Sequence, residues 1–210
     1  MTRHRQTAAT TSVALGWKAH SGWSALVVLG VTDGRLHVVD RRRIELVEPE
    51  ATWAKQPYHA AKALACNDEA QDLITRSIEM ARQVAARSMH ATLTGLRESD
   101  HEVVACAVLI PSPMPEWTVD EILAVHFRMH KAEGVLFPDA VVRAARACGL
   151  HTVAIPERQL HERAQHTLTT PLSASVKMIA TLGASVGPPW GQDQKQAALA
   201  ALVAWHGRSS

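Results

Sequence analysis

A short apolar segment in the middle of the chain does most to limit the possible folds. Residues 103–110, with the sequence VVACAVLI, contain no polar side chain, and Pro111, Pro113 and Pro115 end the segment. A run this short without a polar face is typical of a β-strand that is covered on both sides. Because a sheet covered on both faces carries helices, the segment predicts an α/β protein.

The N-terminal part of the chain has the pattern of three consecutive strands. Residues 12–31 mix β-branched and apolar side chains, and Asp33-Gly34 is a strong hairpin-turn sequence. Residues 35–40 alternate in character, Arg41 and Arg42 are assigned to a second turn, and residues 44–47 are assigned to a third strand. These short connections predict an antiparallel meander.

The next part of the chain has a helical pattern. Apolar residues recur at intervals of three and four from Tyr58 to Leu96, which predicts one long helix or two. A break is expected at Asn67-Asp68 and a stop at Gly95. After the apolar strand, Thr118 and Glu121 form a capping-box pattern ahead of a further helix.

That further helix is expected to kink or divide at Gly134 and Pro138 and to end at Gly149. A fifth strand over 151–155 and helices over 170–182 and 192–205 follow, while the polar stretch from His161 to His166 is assigned to the surface. The order of elements predicts a mixed five-stranded sheet, three antiparallel strands and then a βαβα arrangement, flanked by helices.

The composition is that of an ordinary globular protein. Apolar residues make up 47% and charged residues 20%, and the formal net charge of +2 permits nucleic-acid binding without requiring it. No apolar run is long enough to cross a bilayer, and the three cysteines match no metal or redox spacing. We therefore expect a cytoplasmic protein without a membrane partner, in which Cys66, Cys106 and Cys148 are unpaired and buried. Residues 1–11 are assigned to a disordered start, 12–206 to one domain and 207–210 to a C-terminal tail.

Three stretches of sequence are similar to segments of a known family. They are Leu15-Gly16 with Ser21-Gly22-Trp23; Gly134–Phe137 with Ala144-Ala145 and Gly149-Leu150; and the helix start at residues 193–200. Together with the order of elements, these stretches resemble the bacterial-type RuvC resolvases of the ribonuclease H-like superfamily. The resemblance implies a ribonuclease H-like fold for residues 12–206 and a nucleic-acid partner.

The resemblance also implies a metal site, from which this sequence departs. The family holds two divalent metal ions with about four carboxylates, from the first strand, the fourth strand and the start of the last helix. In this sequence Lys18 lies near the position on the first strand where an acid is expected, and residues 109–112 at the end of the fourth strand contain no acid. On the last helix, Asp193 matches one of the two acidic positions of the family, and Gln196 occupies the other. Asp193 is therefore the one candidate catalytic residue of the family pattern, and it can instead cap its helix. We expect a catalytically inactive domain, a pseudoenzyme, that binds nucleic acid or a protein partner.

A second candidate site lies on the helix before Gly134. His126, His130 and Glu133 fall at i, i+4 and i+7, which places them on one helical face. Two histidines one turn apart can bind Zn²⁺ or another transition metal, and Glu133 can act as a third ligand or as a general base. A metal-dependent hydrolase or nuclease is therefore an alternative function, and a solvated helix face is the alternative interpretation of the same pattern.

Basic and aromatic residues give a third set of candidates. Those for phosphate contacts are Arg41, Arg42 and Arg43 at the predicted turn, together with Lys18. Trp17 and Trp23 are expected on the same side of a strand, where they can stack on bases. A homo-oligomeric scaffold without a ligand is a third hypothesis, because the exposed apolar surface cannot be read from the sequence.

Overall fold

The computed structural model of the chain describes residues 10–64 and 67–208. Within them the strands are β1 (Thr11–His20), β2 (Trp23–Thr32), β3 (Arg35–Glu45), β4 (His101–Ile110) and β5 (Thr152–Pro156). The α-helices are α1 (Pro57–Lys62), α2 (Asn67–Glu98), α3 (Val119–Leu123), α4 (His126–Ala147), α5 (Leu160–Thr167), α6 (Leu172–Val186) and α7 (Gln192–Gly207). Short 3₁₀ helices cover Thr52–Lys55 and Glu157–Gln159.

The strands form one mixed sheet of five in the order β3-β2-β1-β4-β5. β2 pairs antiparallel with both β1 and β3, whereas β1, β4 and β5 run parallel to one another. Parallel neighbours need crossover connections, and the helices between β1 and β5 provide them. The predicted α/β class and the five-stranded mixed sheet are confirmed.

The apolar segment that predicted the fold is β4, next to the centre of the sheet. Its side chains alternate between two cores: Cys106 and Val108 lie in one, Ala107 and Leu109 in the other. All four are fully buried. Burial on both faces explains why this segment has no polar residue.

Helices cover the two faces in separate layers. α2 and α4 pack on one face, while α5, α6 and α7 pack on the other. α1 and α3 join α2 and α4 in a smaller apolar cluster that includes Tyr58, Ile74, Ile122 and Met129. This cluster holds the short helix α1 against α4.

The backbones of α7 and β1 approach each other closely. Every residue of α7 from Ala197 to Ala204 is buried. A Cβ atom added to Gly16 of β1 would overlap the carbonyl oxygen of Ala197 and lie 3.1 Å from the Cβ atom of Ala201. The missing side chain and the small helix residues therefore let α7 rest directly on the sheet.

Two turns of the predicted meander are placed differently in the structure. β1 and β2 are separate strands joined at Ser21-Gly22, where Gly22 has a φ of +82° that suits glycine. Residues 41–43 do not form a turn, because they lie inside β3, which continues to Glu45. The Asp33-Gly34 hairpin and an antiparallel meander of three strands are confirmed, but the separate strand predicted over residues 44–47 is wrong, because Ile44 and Glu45 end β3 and Leu46 and Val47 follow it.

The helix interruptions also differ from the prediction. α2 passes through Gly95, and α4 passes through Gly134 and Pro138 without a break. Glycine costs a helix about 1 kcal/mol and proline about 3 kcal/mol, and burial of the flanking α4 residues outweighs these costs. The break lies earlier, at Ala124-Val125, and helix α5 was not predicted.

Other helix-end signals are confirmed. The Thr118 backbone N–H donates to the Glu121 carboxylate at 2.8 Å, and the Glu121 N–H donates to Thr118 Oγ1 at 3.3 Å, which completes the capping box. The backbone N–H of Thr118, and then its hydroxyl, which donates to the same carboxylate at 3.2 Å, hold the pKa of Glu121 below its usual value. Gly149 follows α4 with a φ of +74°, and α2 begins at Asn67.

The ends of the chain are described in part. Residues 1–9 of the predicted disordered start lie outside the described residues, and β1 already begins at Thr11. α7 continues to Gly207, and residues 209–210 also lie outside. Of the helices that the structure describes, none has the length and apolar character needed to cross a membrane.

The cysteines differ in their surroundings. Cys106 is buried as predicted, and its burial raises the pKa of the thiol to about 12. Cys148 is unpaired but exposed, which corrects the prediction that it is buried. Cys66 lies outside the described residues.

We expect Gly16→Ala to destabilise the protein by about 1–3 kcal/mol, because the new methyl group forces α7 away from the sheet. Urea unfolding followed by circular dichroism measures the change. Gly95→Ala is the matched control, since it adds the same atom where nothing lies within 4 Å and should stabilise α2 by up to about 1 kcal/mol. Equal effects of the two substitutions would contradict the packing argument.

Candidate functional site

The carboxyl ends of the parallel strands β1, β4 and β5 lie together at one end of the sheet. Four polar residues gather there, and we call them the sheet-end group: Lys18 and His20 of β1, Glu157 directly after β5, and Asp193 in the first turn of α7. Functional side chains of α/β proteins commonly collect at the carboxyl ends of parallel strands. The sheet-end group is therefore the first place to look for a catalytic or ligand-binding site.

Lys18 and Glu157 form an ion pair in the sheet-end group. The Lys18 side chain is 9% exposed and the Glu157 side chain 34% exposed. A nearly buried ammonium group needs an opposite charge beside it, and Glu157 provides that charge. Glu157 is thereby neutralised by a residue of the protein itself.

Asp193 lies close to an imidazole, in a contact that does not have the geometry of a hydrogen bond. His20 Nε2 lies 3.0 Å from Asp193 Oδ1. The His20 ring stacks on Trp23, with ring centroids 4.5 Å apart and an angle of 18° between the planes. The Arg43 guanidinium carbon lies 4.0 Å from the centroid of the Trp23 ring. Asp193 therefore lies at the end of a row of stacked side chains.

The sheet-end group does not fit a two-metal nuclease site. Two divalent ions need several oxygen ligands that converge on one point. The group offers two carboxylates, and each already has a cationic or imidazole partner. Glu116, the next acid after β4, is exposed in the loop before α3. Over residues 10–64 and 67–208, no cluster of carboxylates converges at metal-binding distance.

Arg41, a predicted phosphate ligand, is engaged within the protein. Its guanidinium group donates hydrogen bonds to the carbonyl oxygens of Val186, Pro188 and Pro189 at 2.7–2.9 Å. These bonds tie the edge strand β3 to the loop between α6 and α7. The position of Arg41 is explained by this structural role.

The other basic candidates do not form a patch with Arg41. Arg42 pairs with Asp40, while Arg43 pairs with Glu45 and covers Trp23. Successive side chains of a strand point to opposite faces, so the arginines are divided between the two sides of β3. Lys18 is buried rather than on a binding surface.

Trp17 and Trp23 lie on opposite faces of the sheet, contrary to the prediction. Trp17 is 1% exposed in the core beneath α2 and α4. Trp23 instead pairs across the hairpin with His20. The turn at Ser21-Gly22 lies between the two tryptophans and breaks the alternation on which the prediction relied.

The predicted histidine pair is joined by a third histidine. His126 and His130 lie on the exposed side of α4 with ring centroids 4.5 Å apart. His59, in the first turn of α1, has its ring centroid 5.1 Å from that of His126 and 4.6 Å from that of His130. One ligand atom from each ring lies within 4.8 Å of the others. We call these three residues the histidine group.

Glu133 lies behind the histidine group. It is 3% exposed, and its carboxylate oxygens lie 2.9 and 3.0 Å from Nδ1 of His59. The backbone N–H of His59 also donates to this carboxylate at 3.2 Å. Burial, and then the charge of Glu133, raises the pKa of the neighbouring Tyr58. The structure thus places Glu133 in contact with His59, on the buried side of the face that it was predicted to share with His126 and His130.

A cleft of about 470 Å³ separates the β1–β2 turn from α1. Its lining consists of Ser21, Thr52, Trp53, Lys55, Gln56, His59 and Ala60. The lining contains one exposed indole, one ammonium group and one imidazole, but no carboxylate. The cleft therefore shares His59 with the histidine group, and Ser21 of its lining directly follows His20 in the chain.

Three residues of these groups, His20, His59 and Glu157, were missed by sequence reasoning, and the position of His20 beside Asp193 depends on tertiary packing. His59 is distant in sequence from His126 and His130 and has no spacing that links it to them, because only the packing of α1 on α4 brings them together. Glu157 did carry a signal, since it follows a strand that runs parallel to its neighbour. An acid at that position is a candidate site residue for this reason alone.

Comparisons with known proteins identify the fold. The sequence matches no model of a protein family, and no curated protein matches it. The structure of Thermus thermophilus RuvC in complex with a Holliday junction substrate is similar with a TM-score of 0.52 and 13% identity, over 95% of this chain and 96% of that chain. A second Thermus thermophilus RuvC structure is similar with a TM-score of 0.49 and 12% sequence identity, again over 95% of this chain and 96% of that chain. For an Aquifex aeolicus member of the Ppx/GppA family the TM-score is 0.31 and the sequence identity 14%, over 75% of this chain and 38% of that chain. The chain therefore has the RuvC-type ribonuclease H-like fold, as the sequence predicted, and the likeness concerns the fold alone.

We expect Arg41→Ala to lower the free energy of unfolding by about 1.5–3 kcal/mol, because three carbonyl oxygens lose a charged donor. Arg43→Ala, which removes an exposed pair with Glu45, should cost about 1 kcal/mol or less. Chemical denaturation of both variants measures the difference. A larger loss in Arg43→Ala would argue against the structural role of Arg41.

Proposed function

We propose that this chain is a ribonuclease H-like domain that binds nucleic acid at the cleft beside the sheet end and does not cleave it by a two-metal reaction. The observation that carries the proposal is the pairing of both sheet-end carboxylates, Glu157 with Lys18 and Asp193 with His20. The fold supports the choice of partner, because a similar structure is that of RuvC with a Holliday junction substrate.

The charges at the sheet end oppose the binding of two metal ions. A divalent ion placed against Glu157 would also lie close to the ammonium group of Lys18 and be repelled by it. Binding would first require the nearly buried lysine to lose its partner, which leaves an unpaired charge in a poorly solvated place. Asp193 alone cannot hold two ions. The residues present therefore do not fit the metal site that the fold family implies.

The lining of the cleft supports nucleic-acid binding. Trp53 is 38% exposed, so its indole can stack on an unpaired base. Lys55 lines the same cleft and can approach a phosphate. The lining has no carboxylate that would repel a nucleic-acid backbone. This combination of an aromatic ring and positive charge suits a single strand better than a duplex, whose bases are already stacked.

The full chain should bind single-stranded oligonucleotides in a salt-dependent way, and Trp53→Ala should weaken that binding about five-fold or more. The reason is the loss of a base–aromatic stack, which contributes about 1–3 kcal/mol. Fluorescence anisotropy with single-stranded, duplex and four-way-junction DNA, at two salt concentrations and with Mg²⁺ present, measures the affinity and any cleavage.

A pair of lysine variants controls for charge. Lys55→Ala should reduce the slope of log K against log salt by about 0.7 if it contacts one phosphate of a single strand. Lys177→Ala removes the same charge from the exposed side of α6 and should change neither affinity nor slope. No binding at low salt would overturn the nucleic-acid partner and leave a protein partner or a second copy of the chain. Mg²⁺-dependent cleavage that is lost in Asp193→Asn would overturn the inactive sheet end.

A further inference from the structure

The histidine group has nearly the spacing of ligands around one transition-metal ion. Nitrogens bound to a tetrahedral zinc ion at about 2.0–2.1 Å are about 3.3 Å apart. The ring nitrogens of His59, His126 and His130 lie within 4.8 Å of one another. His126 and His130 are exposed, so small rotations of their side chains can close the remaining gap.

Glu133 prepares His59 for metal binding. Its carboxylate lies 2.9 and 3.0 Å from Nδ1 of His59, so the proton is held on Nδ1 and the lone pair is left on Nε2. The hydrogen bond from the His59 backbone N–H at 3.2 Å fixes the carboxylate further. Carboxylate–histidine pairs of this kind orient metal-binding imidazoles and raise their basicity.

Two cationic residues of α4 that are close to the histidines in sequence, Arg128 and Lys131, make contacts away from the histidine group. Arg128 donates to the carbonyl oxygen of Glu121 at 3.0 Å and lies over the ring of Trp117. The Lys131 ammonium lies 5.3 Å from the ring centroid of Phe127. Both positively charged side chains therefore contact groups other than the three histidines.

We propose that His59, His126 and His130 bind Zn²⁺ or another borderline transition-metal ion, with Glu133 as the positioning residue behind His59. Three neutral imidazoles suit Zn²⁺, Co²⁺, Ni²⁺ or Cu²⁺ and do not suit Mg²⁺, which prefers oxygen ligands. Three protein ligands leave a fourth position for water. The site revises the ligand set predicted from the sequence, because His59 takes the place of Glu133 beside the metal. It does not depend on nucleic-acid binding.

Metal titration of the full chain, first freed of metal with a chelator, tests the site. We expect about one Zn²⁺ bound per chain in calorimetry, and visible absorption bands of tetrahedral Co²⁺ when cobalt is added instead. The double variant His126→Ala/His130→Ala should lose both signals. His161→Ala/His166→Ala removes two exposed histidines from α5 and should bind as the unchanged chain does.

Two results would overturn the site. One is the lack of Zn²⁺ binding by the unchanged chain, and the other is equal binding by the two double variants. All four substituted side chains are exposed, so the variants should fold alike. Because no nucleic acid is present, either result leaves the proposed nucleic-acid function to be judged separately.

Glu133→Gln tests the positioning role. It should weaken Zn²⁺ binding about 10–100-fold and keep the tetrahedral cobalt spectrum, because all three ligands remain. Thermal melting with and without Zn²⁺ verifies that the variant is folded, and Zn²⁺ should raise the Tm of the unchanged chain more than that of the variant. Unchanged affinity in folded Glu133→Gln would overturn the role of Glu133.

Discussion

The direct contact between α7 and β1 sets the arrangement on which the rest of this structure depends. Gly16 and the alanines of α7 let a helix backbone lie against the middle of the sheet, where a larger side chain would hold it off. The position of the helix start follows from that contact, and with it the pairing of Asp193 with His20. Arg41 adds a second tether, from β3 to the loop that leads into the helix.

The polar chemistry of the protein is divided between strands and helices. At the carboxyl ends of the strands, Glu157 pairs with the ammonium group of Lys18, and Asp193 lies beside the imidazole of His20. The exposed aromatic, cationic and imidazole groups lie instead on the short helices after β3 and on α4. α1 and α4 share an apolar cluster, which positions the histidine group, whereas the 3₁₀ helix with Trp53 and Lys55 packs through Ala54 on the core beneath α2 and α4.

The fold could be predicted from the sequence because it depends on periodicity and on burial of whole segments. The apolar strand β4 and the amphipathic helix α2 could be predicted for that reason. Breaks within helices were harder to predict. Pro138, for example, lies inside α4, because burial of the helix outweighs the energetic cost of a proline there. Two members of the histidine group, His126 and His130, could be predicted from helical spacing. The third, His59, is brought next to them only by tertiary packing. Residues 41–43 are divided between the two faces of β3, and this could not be predicted while they were assigned to a turn.

Lys18 can be regarded as a counter-ion that is covalently attached to the sheet. A carboxylate at the carboxyl end of parallel strands needs a positive partner, which is a soluble ion in a metal-dependent enzyme and an ammonium group here. A tethered cation is always present at a fixed stoichiometry, so this end of the fold is neutralised without regard to the metal content of its surroundings. Unlike a soluble ion, a tethered ammonium group cannot leave or be exchanged for another cation, so the charge of Glu157 is balanced by the protein itself.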